Sequence, residues 1–254
     1  MPADTTSCLP SHSAIYLGDA FELLKSVEPQ SVRLVLADPP YCVSRPNNLH
    51  TMGRRSIDFG QWDHGFDQTG WLQDAARALV KGGSMVIWND WKLLGSIAAH
   101  LQSLGMDVKR QMRWVKANPI PRNMLRVPVQ SDECCLWAVK PKGKWVFNKR
   151  KGVSYERGEF YHPVMRGGLH PNKKPDRIFQ DIIEIFSNPG ELILDPFAGA
   201  GTTAIAAQRS GRRHISFENN NDYFELASTE LSKIVDVDKR YYDAPDQAVE
   251  VTKQ

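Results

Sequence analysis

Two short motifs combine residue types that could do chemistry, and they stand far apart in the chain. Asp38-Pro39-Pro40-Tyr41 lies near the start, and Asp195-Pro196-Phe197-Ala198-Gly199-Ala200-Gly201-Thr202-Thr203 lies near the end. Each motif follows an apolar run that is typical of a buried parallel strand. Because ligands of open α/β sheets bind at the carboxyl ends of the strands, we expect both motifs to face one crevice.

The glycine motif predicts a binding site for a cofactor that carries adenosine. Gly199 to Ala204 fits the pattern G-x-G-x-x-A, in which glycines allow the backbone to turn tightly and approach a ligand at a helix N-terminus. Glu218 ends the next predicted strand, where a carboxylate can bind both hydroxyls of a ribose. No Gly-Lys-Ser/Thr follows the glycines, which excludes a P-loop. Asp195 disfavours a pyrophosphate and suits the ammonium group of a methionine moiety.

The Asp-Pro-Pro-Tyr motif predicts an acceptor site for a flat, exocyclic amino group. Its two prolines stiffen the loop and remove two N–H donors, which leaves carbonyl oxygens as acceptors. Asp38 adds a carboxylate, and Tyr41 adds a ring on which the attached heterocycle can stack. We therefore interpret Asp38, Pro39, Pro40 and Tyr41 as the catalytic residues.

Length and composition predict one domain over residues 1–254. With 41% hydrophobic residues and a formal net charge of +3, the chain can bury one sizeable core. No apolar stretch approaches the roughly 20 residues that span a bilayer, and the N-terminus lacks a signal-peptide pattern, so we expect a cytoplasmic protein with no membrane partner. The four cysteines lack the spacing of a disulfide framework or a zinc site, and no metal site is predicted.

Strands and helices alternate along the chain, which predicts an α/β fold with a doubly wound, mostly parallel, seven-stranded sheet. Strands 109–115 and 134–139 have no helix between them and predict an antiparallel hairpin at one sheet edge. Segments 43–67 and 140–169 break the alternation, and the tail 236–254 is polar. The other predicted strands are 14–17, 33–37, 84–88, 191–194 and 213–217, and the predicted helices are 69–80, 91–104, 174–186, 202–210 and 222–234.

Several motifs, in this order, resemble those of the DNA amino-methyltransferases that use S-adenosyl-L-methionine, in the permuted arrangement called the β class. The resemblance covers roughly residues 14–235 and implies a Rossmann-like methyltransferase fold. Besides the two motifs above, the matching runs are Leu17-Gly18-Asp19-Ala20, Lys81-Gly82-Gly83-Ser84, Trp114-Val115-Lys116-Ala117-Asn118, His170-Pro171-Asn172-Lys173-Lys174-Pro175 and Asn188-Pro189-Gly190.

The resemblance implies S-adenosyl-L-methionine as the cofactor, bound chiefly by the part 170–235. Within the family's pattern, Glu218 binds the ribose, Asp19 meets the adenine edge and Lys174 lies beside the methionine carboxylate. The family usually reads His-Pro-Thr-Gln-Lys-Pro where this chain has Asn172 and Lys173. The implied cofactor-binding residues are Asp19, Ala20, Asp38, Lys174, Asp195, Phe197, Gly199, Gly201, Thr202, Thr203 and Glu218.

The implied reaction is direct methyl transfer to the N6 amino group of a flipped-out adenine, held by Asp38 and the Pro39 carbonyl. No Pro-Cys step is present, so the cysteine nucleophile of a carbon-5 cytosine enzyme is missing. Asp at the first motif position mostly accompanies adenine in this family, and Ser mostly accompanies cytosine N4. An N4-cytosine enzyme and an inactive DNA-binding or cofactor-sensing module remain as alternatives. A nicotinamide-dependent oxidoreductase is favoured only by the glycine pattern.

Double-stranded DNA is the partner that the resemblance implies, with a homodimer and a cognate restriction endonuclease as open alternatives. Segment 140–169 carries eight Lys or Arg against two Glu, interleaved with aromatic residues, and is the expected target-recognition insertion. A charge run such as that of segment 140–169 ordinarily forms solvated surface. Segment 43–67 is the expected DNA-contacting loop. Phe66 or Trp62 would either face the flipped base opposite Tyr41 or pack within the loop. The expected DNA-binding residues are Arg54, Arg55, Lys149, Arg150 and Lys151.

Overall fold

An eight-stranded sheet organises the chain in the computed structural model, which describes residues 13–41, 65–119, 125–126, 128–150, 152–164 and 174–234. The strand order is β1-β8-β7-β2-β3-β5-β4-β6. The elements are β1 (Ala14–Leu17), α1 (Ala20–Lys25), β2 (Val32–Ala37), α2 (Leu72–Ala78), β3 (Leu79–Asn89), α3 (Leu94–Ser103), β4 (Asp107–Lys116), β5 (Asp132–Val139), β6 (Glu159–His162), α4 (Asp176–Phe186), β7 (Leu192–Asp195), α5 (Thr202–Arg209), β8 (Arg213–Glu218) and α6 (Asn221–Ser232).

The strands that carry the two motifs are neighbours. β2 and β7 pair in parallel, with Leu34 opposite Ile193 and Val35 opposite Leu194. Their carboxyl ends therefore meet at one edge of the sheet, and Asp38 and Asp195 lie at that edge. The single crevice expected from the sequence follows from this pairing.

Alternating apolar residues of the central strands face two separate layers of helices. Val35 and Ala37 belong to one buried cluster, which also includes Leu72 of α2 and Ile97 of α3. Leu34 and Leu36 belong to the second cluster, together with residues of α4 and α5. Both faces are thus covered, which explains why the central strands read as continuous apolar runs.

The predicted architecture is confirmed, and the structure adds an eighth strand. β4 and β5 pair in the antiparallel sense that the sequence predicts. However, β6 pairs in parallel with β4 and takes the sheet edge that was expected for the hairpin. β6 consists of Glu159–His162, in which only Phe160 is buried, so an apolar pattern could not reveal it. No helix among the described ranges is long and apolar enough to cross a membrane.

Candidate active site

The Asp-Pro-Pro-Tyr loop follows β2 directly, and a lysine from a distant part of the chain holds its acidic side chain. Lys174 Nζ donates to Asp38 Oδ1 at 2.7 Å and to Asp38 Oδ2 at 2.6 Å. The Tyr41 hydroxyl donates to Asp38 Oδ1 at 2.5 Å and accepts from Lys174 Nζ at 2.8 Å. Since a carboxylate offers about four lone-pair sites, the contacts within the described ranges leave one acceptor site, on Oδ2.

Burial and charge together set the protonation of these groups. Burial of Lys174 opposes its charge, but the carboxylates of Asp38 and Glu133 outweigh that effect and raise the pKa of Lys174. Burial, followed by the charge of Asp38, raises the pKa of Tyr41 well above its ordinary value. Lys174 is therefore an ammonium and Tyr41 a neutral hydroxyl at neutral pH. The family resemblance implies Lys174 beside a methionine carboxylate, whereas in the structure its ammonium contacts Asp38 and Tyr41.

The second half of the loop is held by a pair of amide side chains. Gln68 Nε2 donates to the Pro40 carbonyl at 2.7 Å, and Asn89 Nδ2 donates to Gln68 Oε1 at 2.7 Å. Asn89 is the last residue of β3 and is buried. The prolines cannot anchor the loop through N–H groups, so these side chains do so through a carbonyl oxygen.

The glycine loop joins β7 to α5 through two residues with positive φ. Gly199 has φ 51° and Gly201, which precedes the first residue of α5, has φ 80°. Among the described residues, a Cβ atom built on Gly199 meets no atom within 4 Å, whereas a Cβ atom on Gly201 meets Ala227 Cβ of α6 at 2.9 Å. Gly199 therefore borders open space, and Gly201 is small because α6 packs against it.

Two acidic side chains flank this loop. Glu218, at the end of β8, accepts from Gly199 N through Oε2 at 2.7 Å and from Asn220 N through Oε1 at 2.8 Å. Asp195, at the end of β7, accepts from Phe197 N at 2.9 Å. Burial raises the pKa of Asp195 to about 7. A cationic ligand group beside Asp195 would relieve this cost by favouring its ionised form.

The remaining predicted cofactor residues lie around the same strand ends. Asp19 is the N-cap residue of α1, and its side chain accepts from Phe21 N and Glu22 N; Ala20, the first residue of α1, is buried. Thr202 and Thr203 open α5, and Thr203 is buried. The open space at Gly199 and the two carboxylates that flank the glycine loop, Asp195 and Glu218, fit an adenosine-bearing cation better than a phosphate ligand.

Phe197 is surrounded by other aromatic rings. Its ring centroid lies 5.4 Å from that of Phe66 and 5.2 Å from that of Trp71, both in edge-to-face contact. Phe66 also packs against Phe21. These contacts favour the packing role for Phe66 over a place opposite the target base, and Trp62 lies outside the described residues.

Of the predicted DNA-binding residues, the structure describes Lys149 and Arg150, and their contacts lie outside the crevice. Lys140 N donates to Gly83 O near the start of β3, and Asn148 N donates to Ile185 O near the end of α4. Segment 140–150 therefore begins at the sheet edge opposite Asp38. Arg150 pairs with Glu156 at 2.6 Å and with Asp181 at 3.3 Å.

Lys149 Nζ, in the same segment, donates to the Ser154 carbonyl at 3.3 Å. Arg54, Arg55 and Lys151 lie outside the described residues. The assignment of all five basic residues to DNA stays a prediction.

Sequence reasoning missed the residues behind Lys174. Glu133 Oε2 lies 3.4 Å from Lys174 Nζ, and Glu133 Oε1 lies 2.8 Å from Lys116 Nζ. One signal could have identified Glu133. It is an acid two residues before Cys135, so both side chains face the same side of β5, and Cys135 is fully buried.

The fold and the site define a doubly wound α/β protein in which an acceptor loop and a glycine loop lie at one edge of the sheet. The family model described as DNA methylase, of the N6 and N4 amino type, matches residues 32–229. The Type II methyltransferase M2.LlaDCHI of Lactococcus lactis subsp. cremoris is 30% identical in an alignment of 236 residues, and the match covers 85% of this chain and 87% of that protein.

Solved structures show the same likeness. The structure of the M1.HpyAVI–SAM complex is 35% identical, with a TM-score of 0.69 over 85% of this chain and 98% of that one. The cytosine-N4-specific PvuII DNA methyltransferase is 18% identical, with a TM-score of 0.68 over 86% of each chain, and shares the fold. The chain belongs to the N6/N4 DNA methylase family.

Proposed function

We propose that this protein transfers a methyl group from S-adenosyl-L-methionine to the exocyclic N6 of an adenine in double-stranded DNA. The observation that carries the proposal is the Asp38 carboxylate at the crevice. Lys174 and Tyr41 orient it, and the contacts of the described residues leave one acceptor site on Oδ2. The neighbouring strand β7 ends in the glycine loop, which supports binding of the methyl donor next to this acceptor.

Asp38 and the Pro39 carbonyl act on the amino group of the target base. This nitrogen is a weak nucleophile because its lone pair is delocalised into the ring. Two acceptors that bind its N–H groups favour a tetrahedral geometry and return the lone pair to the nitrogen. When bound, S-adenosyl-L-methionine supplies an electrophilic methyl group on its sulfonium. The nitrogen gains that methyl group and loses a proton, and Asp38 lies where it can accept the proton.

The target base must leave the duplex before it can reach Asp38. Asp38 and Tyr41 lie at the end of a central strand, and Tyr41 packs against the buried cluster beneath it. A base stacked inside a duplex cannot enter such a crevice, which supports base flipping. The same edge of the sheet presents Trp91, 66% exposed, and Lys92, which follow β3 after Asp90. An aromatic ring and a cation at this place suit contacts with DNA bases and phosphates.

Cytosine N4 is the second candidate acceptor. It is also an exocyclic amino group on a flat ring, so the same two acceptors could hold it, and the PvuII enzyme has the same fold. Asp at position 38 favours adenine through the family correlation. A homodimer, a cognate restriction endonuclease and a cytoplasmic location stay expectations.

Product analysis tests the proposal. The purified protein is incubated with unmethylated genomic DNA and S-adenosyl-L-methionine, and the DNA is digested to nucleosides for mass spectrometry. We expect N6-methyldeoxyadenosine with the wild type and none with Asp38→Ala, whose cofactor affinity should stay within a few-fold. N4-methyldeoxycytidine would establish the second candidate. Absence of any methylated nucleoside, with normal cofactor binding, would support an inactive binding module.

A further inference from the structure

Four charged side chains form a row of alternating sign that ends at Asp38. From Asp38 the row passes to Lys174, then to Glu133 and finally to Lys116, with N–O distances of 2.6, 3.4 and 2.8 Å. Lys174 is buried, and the side chains of Glu133 and Lys116 are 26% and 15% exposed. We call these four residues the charge row.

The far half of the charge row belongs to the β4–β5 hairpin. Lys116 is the last residue of β4, and Glu133 is the second residue of β5. Trp114 pairs with Glu133 across the two strands, and Lys116 Nζ lies 5.1 Å from the Trp114 ring centroid. Asp38, by contrast, follows β2, which is separated from β5 by β3. The charge row thus connects the β4–β5 hairpin to the acceptor loop that follows β2.

Glu133, the acid between the two lysines of the charge row, is ionised. Burial would raise the pKa of Glu133, but the ammonium groups of Lys174 and Lys116 outweigh burial and lower it. An ammonium between two carboxylates is attracted from two sides, so its position is better defined than beside one. The negative charge of Glu133 also offsets part of the positive charge of Lys174. The negative charge of Asp38 is therefore less neutralised than it would be beside an unpaired ammonium.

We propose that Glu133, supported by Lys116, is a positioning residue for methyl transfer. Glu133 holds Lys174 in place and offsets part of its positive charge. Asp38 thereby keeps both the orientation and the negative charge that it needs to accept a hydrogen bond from the target amino group. This inference rests on the proposed function, because it assigns Asp38 to that amino group.

The test compares Glu133→Gln with Asp132→Asn. Asp132 is the adjacent acid on β5, points to the opposite face and lies 3.7 Å from Arg113, so it is a matched control. Single-turnover methyl transfer is measured with cofactor and DNA both saturating, and the Kd of each ligand is measured separately. We expect the rate constant of Glu133→Gln to fall about 10- to 100-fold, as for a lost charged hydrogen bond, with both Kd values within about threefold. Asp132→Asn should match the wild type.

Two further variants keep the test decisive if Glu133→Gln folds poorly. Glu133→Asp retains the charge and should recover a large part of the rate without any change in ligand affinity. A double-mutant cycle between Glu133→Gln and Lys174→Met, read by urea unfolding, should show coupling that the cycle between Asp132→Asn and Lys174→Met lacks.

Three results would overturn the inference. An unchanged rate in Glu133→Gln, with a wild type that methylates DNA, refutes the positioning role and leaves the proposed function intact. Losses of rate that only follow losses of ligand affinity would show a general structural role. A wild type that methylates no base removes the proposed function and the inference with it, even if the unfolding cycle shows the contact.

Discussion

Replacing Tyr41 with phenylalanine tests whether the hydroxyl or only the ring of this residue matters. Sequence reasoning assigns the ring to stacking on the target base, which predicts that Tyr41→Phe keeps most activity. In the structure the hydroxyl bridges Asp38 Oδ1 and Lys174 Nζ, at 2.5 and 2.8 Å. Both partners are charged, so the substitution removes two charge-assisted hydrogen bonds.

The size of the effect follows from these contacts. A hydrogen bond to a charged group contributes about 1.5–3 kcal/mol, and Asp38 retains its contacts with Lys174 after the substitution. If one such bond orients Asp38 in the transition state, the rate constant for methyl transfer falls by about 10- to 150-fold. The ring stays in its apolar surroundings, so we expect cofactor affinity to remain within a few-fold.

The assay is single-turnover transfer of a tritiated methyl group to duplex DNA, quenched on the millisecond to second scale. Tyr161→Phe is the control, since its hydroxyl also donates to a carboxylate, Glu159 at 2.7 Å, but the residue is 62% exposed at the sheet edge. We expect the control to react at the wild-type rate. A wild-type rate in Tyr41→Phe would refute the argument and return Tyr41 to a stacking role alone.

The other predictions concern the cofactor pocket and DNA. Both glycines have positive φ, so alanine at either position should lower the free energy of unfolding by about 1–2 kcal/mol. Gly201→Ala should lower it further because its Cβ meets α6, whereas Gly199→Ala should weaken binding of S-adenosyl-L-methionine. Melting curves with and without cofactor separate the two, and identical behaviour would contradict the pocket geometry.

Burial raises the pKa of Asp195 to about 7, so binding of a cationic cofactor should release a proton below that pH. The affinity for the cofactor should then fall by up to about tenfold per pH unit from pH 7 to 5. Calorimetry in two buffers should detect the released proton. An affinity that does not change with pH would contradict the pairing of the cofactor's cation with Asp195. Lys92→Ala should lower the slope of log K for DNA against log salt by about 0.9, one phosphate contact. Arg150→Ala should leave that slope unchanged. It should instead lower the free energy of unfolding by on the order of 2 kcal/mol, because Arg150 pairs with the buried acid Asp181. A smaller slope with unchanged stability would show that Arg150 contacts DNA.

The two motifs and the elements that carry them could be predicted from the sequence because each depends on local signals. Apolar runs followed by proline or glycine motifs identify β2 and β7, and the alternation of strands and helices identifies the sheet. The carboxyl-end rule for open α/β sheets then brings Asp38 and Asp195 to one edge. These inferences need only neighbours in the chain and a general rule of topology.

The tertiary structure alone decided which side chains touch. Lys174 lies 136 positions from Asp38 in the chain, and no periodic pattern relates them. Glu133 reaches Lys174 only because β5 lies next to β3 in the strand order, and Arg150 meets Asp181 only because its segment runs along α4. Hydrophobic periodicity specifies which face of an element is buried, but not which element covers it. Partners that are distant in sequence, and with them the charges around Asp38, are therefore set by packing.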